Sequence, residues 1–523
     1  MRGMNIYEKV KGKIDEALAK VAPNELCDYT LEFQADNSRG DFSTNIALVV
    51  SKKLRKNPKE IAEEIAKLLT KESSLIVRAE IALPGFINIF LTNESVGQIE
   101  KEVKEYCVHG AKQPLGKINI EFISVNPTGP LHIGHGRGAF FGDTYANILS
   151  FAGADVSREF YINDSKDSNQ IKELGKTALG VGEQYKTEAL LEKIKMLDVA
   201  NLSESEAGFT VAELLQKENE DVIKNKLHIS FDEFYSEDAR LRATGASQKM
   251  FERLQGLGFV YEKDGAQWLK TSEFGDLEDR VLVRSDGSVS YFLSDIAYHD
   301  EKFSRGLSQV IDVWGAEHEG HVARMKAVAK MLSWKGDFTI YIAQRVTLKE
   351  DGVLKKISKR AGTAISLEDL VDELGLDVVR YNYMTRSLGT HMEFDMALAR
   401  DESEKNPVHY IRYAHARAST LIEKTEGLEK ENTKKDMHPS TRLLLLKLAS
   451  FEHVISRIVG SGEVHRLPQY AYELAQTFSG FYRDIRIIDE NKVDESALSV
   501  TETTRVVLQK TLNLMGISAP THM

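Results

Sequence analysis

The residues best placed to do chemistry lie between Glu121 and Asp143, in the string EFISVNPTGPLHIGHGRGAFFGD. His132 and His135 stand three residues apart, and Gly134 and Gly136 keep side chains out of a ligand's way. Imidazoles can donate hydrogen bonds to an anion, and a helix opening at that corner adds unpaired N–H groups and the positive end of its dipole. A nucleoside triphosphate suits such a corner. A second stretch, Lys349 to Leu370 (KEDGVLKKISKRAGTAISLEDL), is rich in glycine and lysine, with Lys356, Ser358 and Lys359 at its centre. By itself a lysine-rich loop is more often merely solvated. Beside a phosphate site its ammonium groups could neutralise charge building on a leaving group. Two look-alikes drop out. GVGEQYKT (Gly180 to Thr187) has Tyr185 where a phosphate-binding loop needs glycine. His318 and His321 are one residue too close for the paired histidines of a zinc-protease helix.

These residues need a scaffold, and the pattern around them predicts one. Ile118 to Val125 alternates apolar and polar residues as a strand does, Asn126 to Pro130 is dense in turn formers, and helical spacing runs from about Gly134 to Phe151. From about 115 to 390, strand patterns (Phe160–Asn163, Val310–Trp314, Phe338–Ala343) alternate with helical ones. That predicts a parallel sheet covered on both faces, with ligands at the C-terminal ends of its strands. Residues 170 to 230 read as a charged helical insertion, and Asp286-Gly287 as the turn of a hairpin. Residues 1–110 read as a small α/β domain with helices at Ile6–Val21 and from Asn57 to Leu69, and 401–523 as an all-helical bundle. On the first helix of that bundle Tyr410, Arg412, Tyr413, His415 and Arg417 interleave rings and cations. The tyrosines could be core, or they could stack on bases beside phosphate contacts; the helix alone leaves both open.

With 523 residues the chain needs several cores, and 42% hydrophobic with 28% charged residues is the balance of an ordinary globular protein. The net charge of −11 does not announce a nucleic-acid binder, so any RNA contact has to come from local basic patches such as Lys52, Lys53, Arg55 and Lys56. Two cysteines far apart argue against a disulfide framework or structural zinc, and for a reducing cytoplasm. The charged N-terminus is no signal peptide, and no run approaches the ~20 apolar residues that span a bilayer.

LHIGH resembles the HIGH motif of class I aminoacyl-tRNA synthetases, and VNPTGPLHIGHGRG (Val125 to Gly138) is similar in particular to arginyl-tRNA synthetases. Lys356 to Arg360 (KISKR) resembles the KMSKS loop of the same class, with isoleucine for methionine and arginine for the last serine. GDFSTNIA and LPGFIN resemble that family's N-terminal domain, which touches the tRNA elbow. Asn406 to Ser419 is similar to the start of its anticodon-binding domain, and Asn513 to Met523 to its C-terminus. The resemblance implies a Rossmann-like class I catalytic domain and an arginine–tRNA ligase using ATP with Mg2+ and no dedicated protein metal site. It implies catalytic roles for His132, His135, Lys356 and Lys359, and ATP contacts at Gly134, Gly136, Gly315, His318 and Ser358. Glu121, Ser124 and Asn126 match residues holding the α-amino and carboxylate groups of arginine, and Tyr291 and Asp295 match the guanidinium site. Ser294 stands where the family often has arginine, and Glu317 where it has aspartate. Tyr410, Arg412, Tyr413 and Arg417 become tRNA contacts. The partners implied are tRNA(Arg), L-arginine and ATP, with no membrane and a monomeric state. Two alternatives stay open. A small-molecule adenylyl transferase would need no helical C-terminal domain, and a non-catalytic RNA-binding relative would have no reason to keep every charged site residue.

Overall fold

The computed structural model describes residues 4–23, 25, 27–34, 37–71, 73–111, 114–350, 353–355, 365–431 and 436–523; Lys356, Ser358 and Lys359 lie outside the described residues. The helix Ile6–Val21 opens on a capping box between Asn5 and Glu8, and Pro58–Thr70 opens on Asn57 with proline at its first turn. Both pack near a four-stranded antiparallel sheet formed by Leu31–Phe33, Phe42–Thr44, Phe86–Leu91 and Ile76–Ala82.

A five-stranded parallel sheet forms the middle of the chain. Its strands are β1 (Gly116–Glu121), β2 (Ala154–Ile162), β3 (Glu233–Ser236), β4 (Gln309–Gly315) and β5 (Asp337–Ala343), in the spatial order β5-β4-β1-β2-β3. Helix α1 (His135–Phe151) joins β1 to β2. The inserted helices α2 (Asn169–Ala178), α3 (Glu188–Ile194) and α4 (Glu204–Asp221) separate β2 from β3 and bury a small core of their own around Leu174, Leu190 and Val211. Helix α5 (Tyr291–Ser304) precedes β4, α6 (Val322–Met331) follows it, and α7 (Leu376–Met384) lies beyond the second motif. The hairpin predicted at Asp286-Gly287 forms, with Arg284 and Ser288 paired across the turn.

Glycine sets how closely α1 approaches the sheet. A Cβ at Gly142 would lie 2.2 Å from Cγ of Phe122, inside the ring's van der Waals surface. Gly142→Ala is therefore expected to destabilise the protein by about 1–3 kcal/mol, measured by urea unfolding, because neither helix nor ring can yield without repacking. Arg137, 2% exposed, ties the same helix to the end of α7 and the segment after it by donating to the carbonyls of Tyr383 (2.8 Å), Leu388 (3.1 Å) and Thr390 (3.1 Å).

Beyond residue 400 the helices α8 (Pro407–Lys424), α9 (Pro439–Ser461), α10 (Arg466–Asp484) and α11 (Glu495–Leu514) pack as a bundle. The bundle also carries three short strands, Glu429–Glu431, Ile488–Asp489 and Lys492–Asp494. They are two or three residues long, and Glu429–Glu431 joins the hairpin of the other two from about sixty residues away, so no period-2 run is long enough to announce them. The N-terminal part docks on this bundle, where Arg442 reaches both oxygens of Asp41 (3.0 and 2.5 Å). Among the described residues no helix is long and apolar enough to cross a membrane.

Candidate active site

The two histidines meet at the start of α1. Their rings stack with centroids 3.5 Å apart at 26°. His132 Nδ1 accepts from the Gly134 N–H (3.0 Å), and His135 Nδ1 accepts from the His132 N–H (3.1 Å). Each neutral ring therefore carries its proton on Nε2, as a donor. The expectation of unpaired N–H groups needs correction. The amides of His135, Gly136 and Arg137 donate to the carbonyls of His132, Ile133 and Gly134, because the preceding residues already form a turn. What the corner offers an anion is imidazole N–H and the dipole. The glycines are explained by packing: a Cβ at Gly134 would meet the His132 ring at 2.8 Å, and one at Gly136 the Tyr383 ring at 2.8 Å. The described end of the second motif lies against this corner, with Leu367 N–H donating to Leu131 O (2.8 Å) and Ser366 bridged to His132.

After β1 the chain bends sharply, with Ile123 and Ser124 at φ 69° and 37°. A β-branched residue there is strained. Ser124 is held in place by the end of β2 and the residue after it: its Oγ accepts from Tyr161 N–H (3.0 Å) and its carbonyl from Asn163 Nδ2 (3.1 Å). Glu121, at the end of β1, is buried. It lies in register with Asp312 on β4 and Glu159 on β2, and Glu159 with Glu233 on β3. Strands lie about 4.8 Å apart, so four carboxylates form a row across the sheet.

Helix α5 covers that row with cations. Lys302, 0% exposed, donates to Glu121 Oε2 (2.6 Å) and Asp312 Oδ1 (3.0 Å). Tyr298 OH lies 2.7 Å from Glu121 Oε2 and 2.5 Å from Glu159 Oε1, and Arg305 pairs with Glu159. His299 faces the Asp295 carbonyl with Nδ1 (2.7 Å) and Asp312 Oδ2 with Nε2 (2.7 Å). Two acceptors demand two N–H donors, so this imidazole is the cation. Burial alone would lower its pKa; the Asp312 carboxylate raises it. Burial would raise Asp312, but Lys302 and His299 hold it at about 2. Asp295 sits above this network, half-buried, and its carboxylate has no hydrogen bond or ion pair among the described residues. Burial pushes it up to about 7, against which the nearby His299 works. A carboxylate so placed is a seat for a cation.

The other predicted residues are more scattered. Tyr291, four residues before Asp295, is 47% exposed, and its OH accepts from Asn169 N–H (3.2 Å) at the start of α2. Asn126 is exposed in its turn. Gly315 ends β4, where Glu317 folds back to 2.5 Å from the position of an added Cβ, and His318 is exposed on the next turn.

The chain resembles known proteins along its whole length. Residues 8–91 match the arginyl tRNA synthetase N terminal domain, 167–381 the catalytic domain of class I (R) tRNA synthetases, and 411–523 the DALR anticodon binding domain. An arginine–tRNA ligase of Listeria welshimeri is 37% identical over 556 residues, covering 99% of each chain. One of Bacillus pumilus is 37% identical over 568 residues, covering 99% of this chain and 100% of that one. The chain belongs to the arginyl-tRNA synthetases. The solved arginyl-tRNA synthetase of Thermus thermophilus, at 20% identity, shares the fold with a TM-score of 0.77 over 99% of this chain and 100% of that one.

In this arginyl-tRNA synthetase the predicted RNA-facing residues of α8 divide in two. Tyr410 donates to Ser479 Oγ (3.0 Å) and packs on Tyr472, and Arg412 lies 3.5 Å from Asp377, so both serve the packing. Tyr413, 37% exposed, faces outward with Arg417, whose guanidinium lies over the rings of Tyr413 (4.6 Å) and Tyr482 (5.1 Å). The sequence reading missed Lys302, Tyr298 and His299, although Asp295, Tyr298, His299 and Lys302 recur at helical spacing on one face. It also missed Glu237. That carboxyl is buried, Oε1 has no hydrogen bond, and Arg242 Nε is an ion pair at 3.5 Å without hydrogen-bond geometry. Burial raises its pKa, against the pull of Arg242. An acid just past a strand end was the available signal. Asp164, just past the end of β2, carries the same signal but is committed to Ser236 Oγ (2.6 Å) and Asp238 N (2.9 Å).

Proposed function

We propose the following division of labour in this arginine–tRNA ligase, over the segments 1–110, 111–400 and 401–523. Arginine enters with its guanidinium on Asp295, flanked by Tyr291 and with Glu237 as a second acceptor. A planar group with five donors needs more than one carboxylate. Glu121, Ser124 and Asn126 hold the α-ammonium and carboxylate. The α-carboxylate oxygen attacks the α-phosphorus of ATP and pyrophosphate leaves; a terminal ribose hydroxyl of tRNA(Arg) then attacks the arginyl carbonyl and AMP leaves. Positioning and charge stabilisation carry such phosphoryl chemistry. His132 and His135 donate Nε2–H to the phosphates, Lys356 and Lys359 neutralise the pyrophosphate with Ser358 beside them, and Gly315 and His318 line the adenosine side. The donors at the head of α1 suit phosphate oxygens, so Mg2+ arrives with ATP and is held by phosphates and water.

The observation that carries this reading is Asp295, a carboxylate with no hydrogen-bond or ion-pair partner among the described residues, above an acid row whose cations are already engaged. Its natural complement is one more cation, the guanidinium. The test is aminoacylation of total tRNA with each amino acid in turn. Charging by arginine alone supports the reading; charging by a neutral amino acid sinks the pocket assignment. Outward-facing Tyr413 and Arg417 are assigned to the tRNA. Tyr413→Ala is expected to raise KM for tRNA about 5- to 100-fold, the worth of one base–ring stack, leaving KM for arginine unchanged. We place the enzyme in the cytoplasm, as a monomer.

A further inference from the structure

We infer that Lys302 is a positioning residue for the α-ammonium of arginine, acting through Glu121; the inference rests on the assignment of Glu121 above. Lys302 Nζ and Tyr298 OH both converge on one oxygen of Glu121, Oε2, at 2.6 and 2.7 Å. The other oxygen, Oε1, accepts no hydrogen bond among the described residues, and 9% of the side chain remains exposed. Lys302 donates to Oε2, and the Tyr298 hydroxyl, whose single proton is shared with Glu159 Oε1, closes the same side; together they hold the carboxylate in one orientation and leave Oε1 as the defined acceptor. Charge-assisted hydrogen bonds gain from such fixed geometry. Lys302 is itself held from the far side by Asp312, which His299 also engages. The carbonyl of Asp295 closes the chain through His299 Nδ1. One buried network therefore sets the two ends of the substrate relative to each other: the acceptor for the α-ammonium, and the helix turn that carries the guanidinium's carboxylate. Lys302 never touches substrate in this arrangement.

The consequence is selective. Losing Lys302 should weaken recognition of the α-ammonium more than that of the guanidinium. The experiment compares Lys302→Met and Tyr298→Phe with the parent full-length enzyme in the presence of tRNA(Arg). It measures equilibrium binding of L-arginine and of 5-guanidinopentanoate, which lacks the α-amino group. Lys302→Met is expected to lose about 10- to 100-fold in arginine affinity, the worth of a charged hydrogen bond, while the desamino compound binds both proteins alike. Tyr298→Phe removes the hydroxyl shared between Glu121 Oε2 and Glu159 Oε1 and leaves Lys302 in place. It is expected to shift arginine affinity in the same direction by less, and it keeps the inference open to test if the methionine variant does not fold. Equal weakening of both ligands, or no change in either, overturns the inference. Glu121→Gln separates the two layers. If it abolishes the preference for arginine over the desamino compound while Lys302→Met leaves that preference intact, Glu121 keeps its role and Lys302 loses this one. If Glu121→Gln leaves the preference intact, the underlying assignment fails.

Discussion

Asp295→Asn is expected to lower kcat/KM for arginine by roughly 10²- to 10³-fold while leaving KM for ATP close to the parent value. Truncating one partner of a desolvated charge pair costs about 2–5 kcal/mol, much of it from the unpaired charge left behind. The same carboxylate predicts a pH signature. Burial pushes Asp295 up to about 7 from its ordinary 3.8. A guanidinium pairs with the ionised form and draws the pKa down on binding, so binding releases a proton below that value. Arginine affinity should be flat above about pH 7 and fall about tenfold per unit below it, and the asparagine variant should lose the inflection. Stability moves the other way. An acid whose folded value lies above its unfolded value binds its proton more tightly when folded. Asp295 therefore takes stability away as pH rises from 3.8 towards 7, in full above that window. Asp295→Asn should raise the unfolding midpoint at pH 8 and leave it unchanged near pH 3. A variant inactive with arginine yet more stable at pH 8 would mark the carboxylate as placed for substrate. Equal loss of arginine and ATP affinity would count against that.

Asp143→Asn is expected to destabilise the protein by about 3–5 kcal/mol, the penalty for breaking a buried ion pair from one side. Asp143 lies on α1, nearly buried, and accepts from Arg158 of β2 (2.7 Å) and Arg380 of α7 (2.6 Å). Arg380, 1% exposed, also donates to the carbonyls of Leu227 (2.7 Å) and Met515 (3.2 Å). One carboxylate thus joins the histidine-bearing helix, the sheet, the end of the insertion and the turn after α11. Neutralising it leaves two guanidinium groups without a counter-charge. Arg380→Met removes a charge together with its need for a partner and should cost less in the same denaturant titration. If Asp143→Asn unfolds at the parent midpoint, the pair carries no stability. Because Asp143 is two turns from His135, the asparagine variant should also lose activity before it unfolds.

Much of the fold is legible in the sequence because its signals are local. Asn5 and Asn57 cap the helices they precede, and Ser366 with Asp369 forms a capping box. β1, its turn and α1 occupy consecutive residues, so the histidine corner could be read from one string. The glycines beside it were legible as a need for space, but not which side required it, because Tyr383 comes from a distant helix.

Sequence by itself determined the element order, the histidine pair, the Tyr291–Asp295 spacing on one helix, and the family they resemble. Only the tertiary structure decided that Asp312, Glu121, Glu159 and Glu233 stand in one row, since that depends on strand order and register. It decided that Lys302 is a buried counter-ion and not a solvated lysine, and that Tyr413 faces out while Tyr410 faces in. Spacing along a chain reports neighbours within one element. Which elements touch, and at what register, is set by the burial of faces against each other, and the charges of this site follow from that packing.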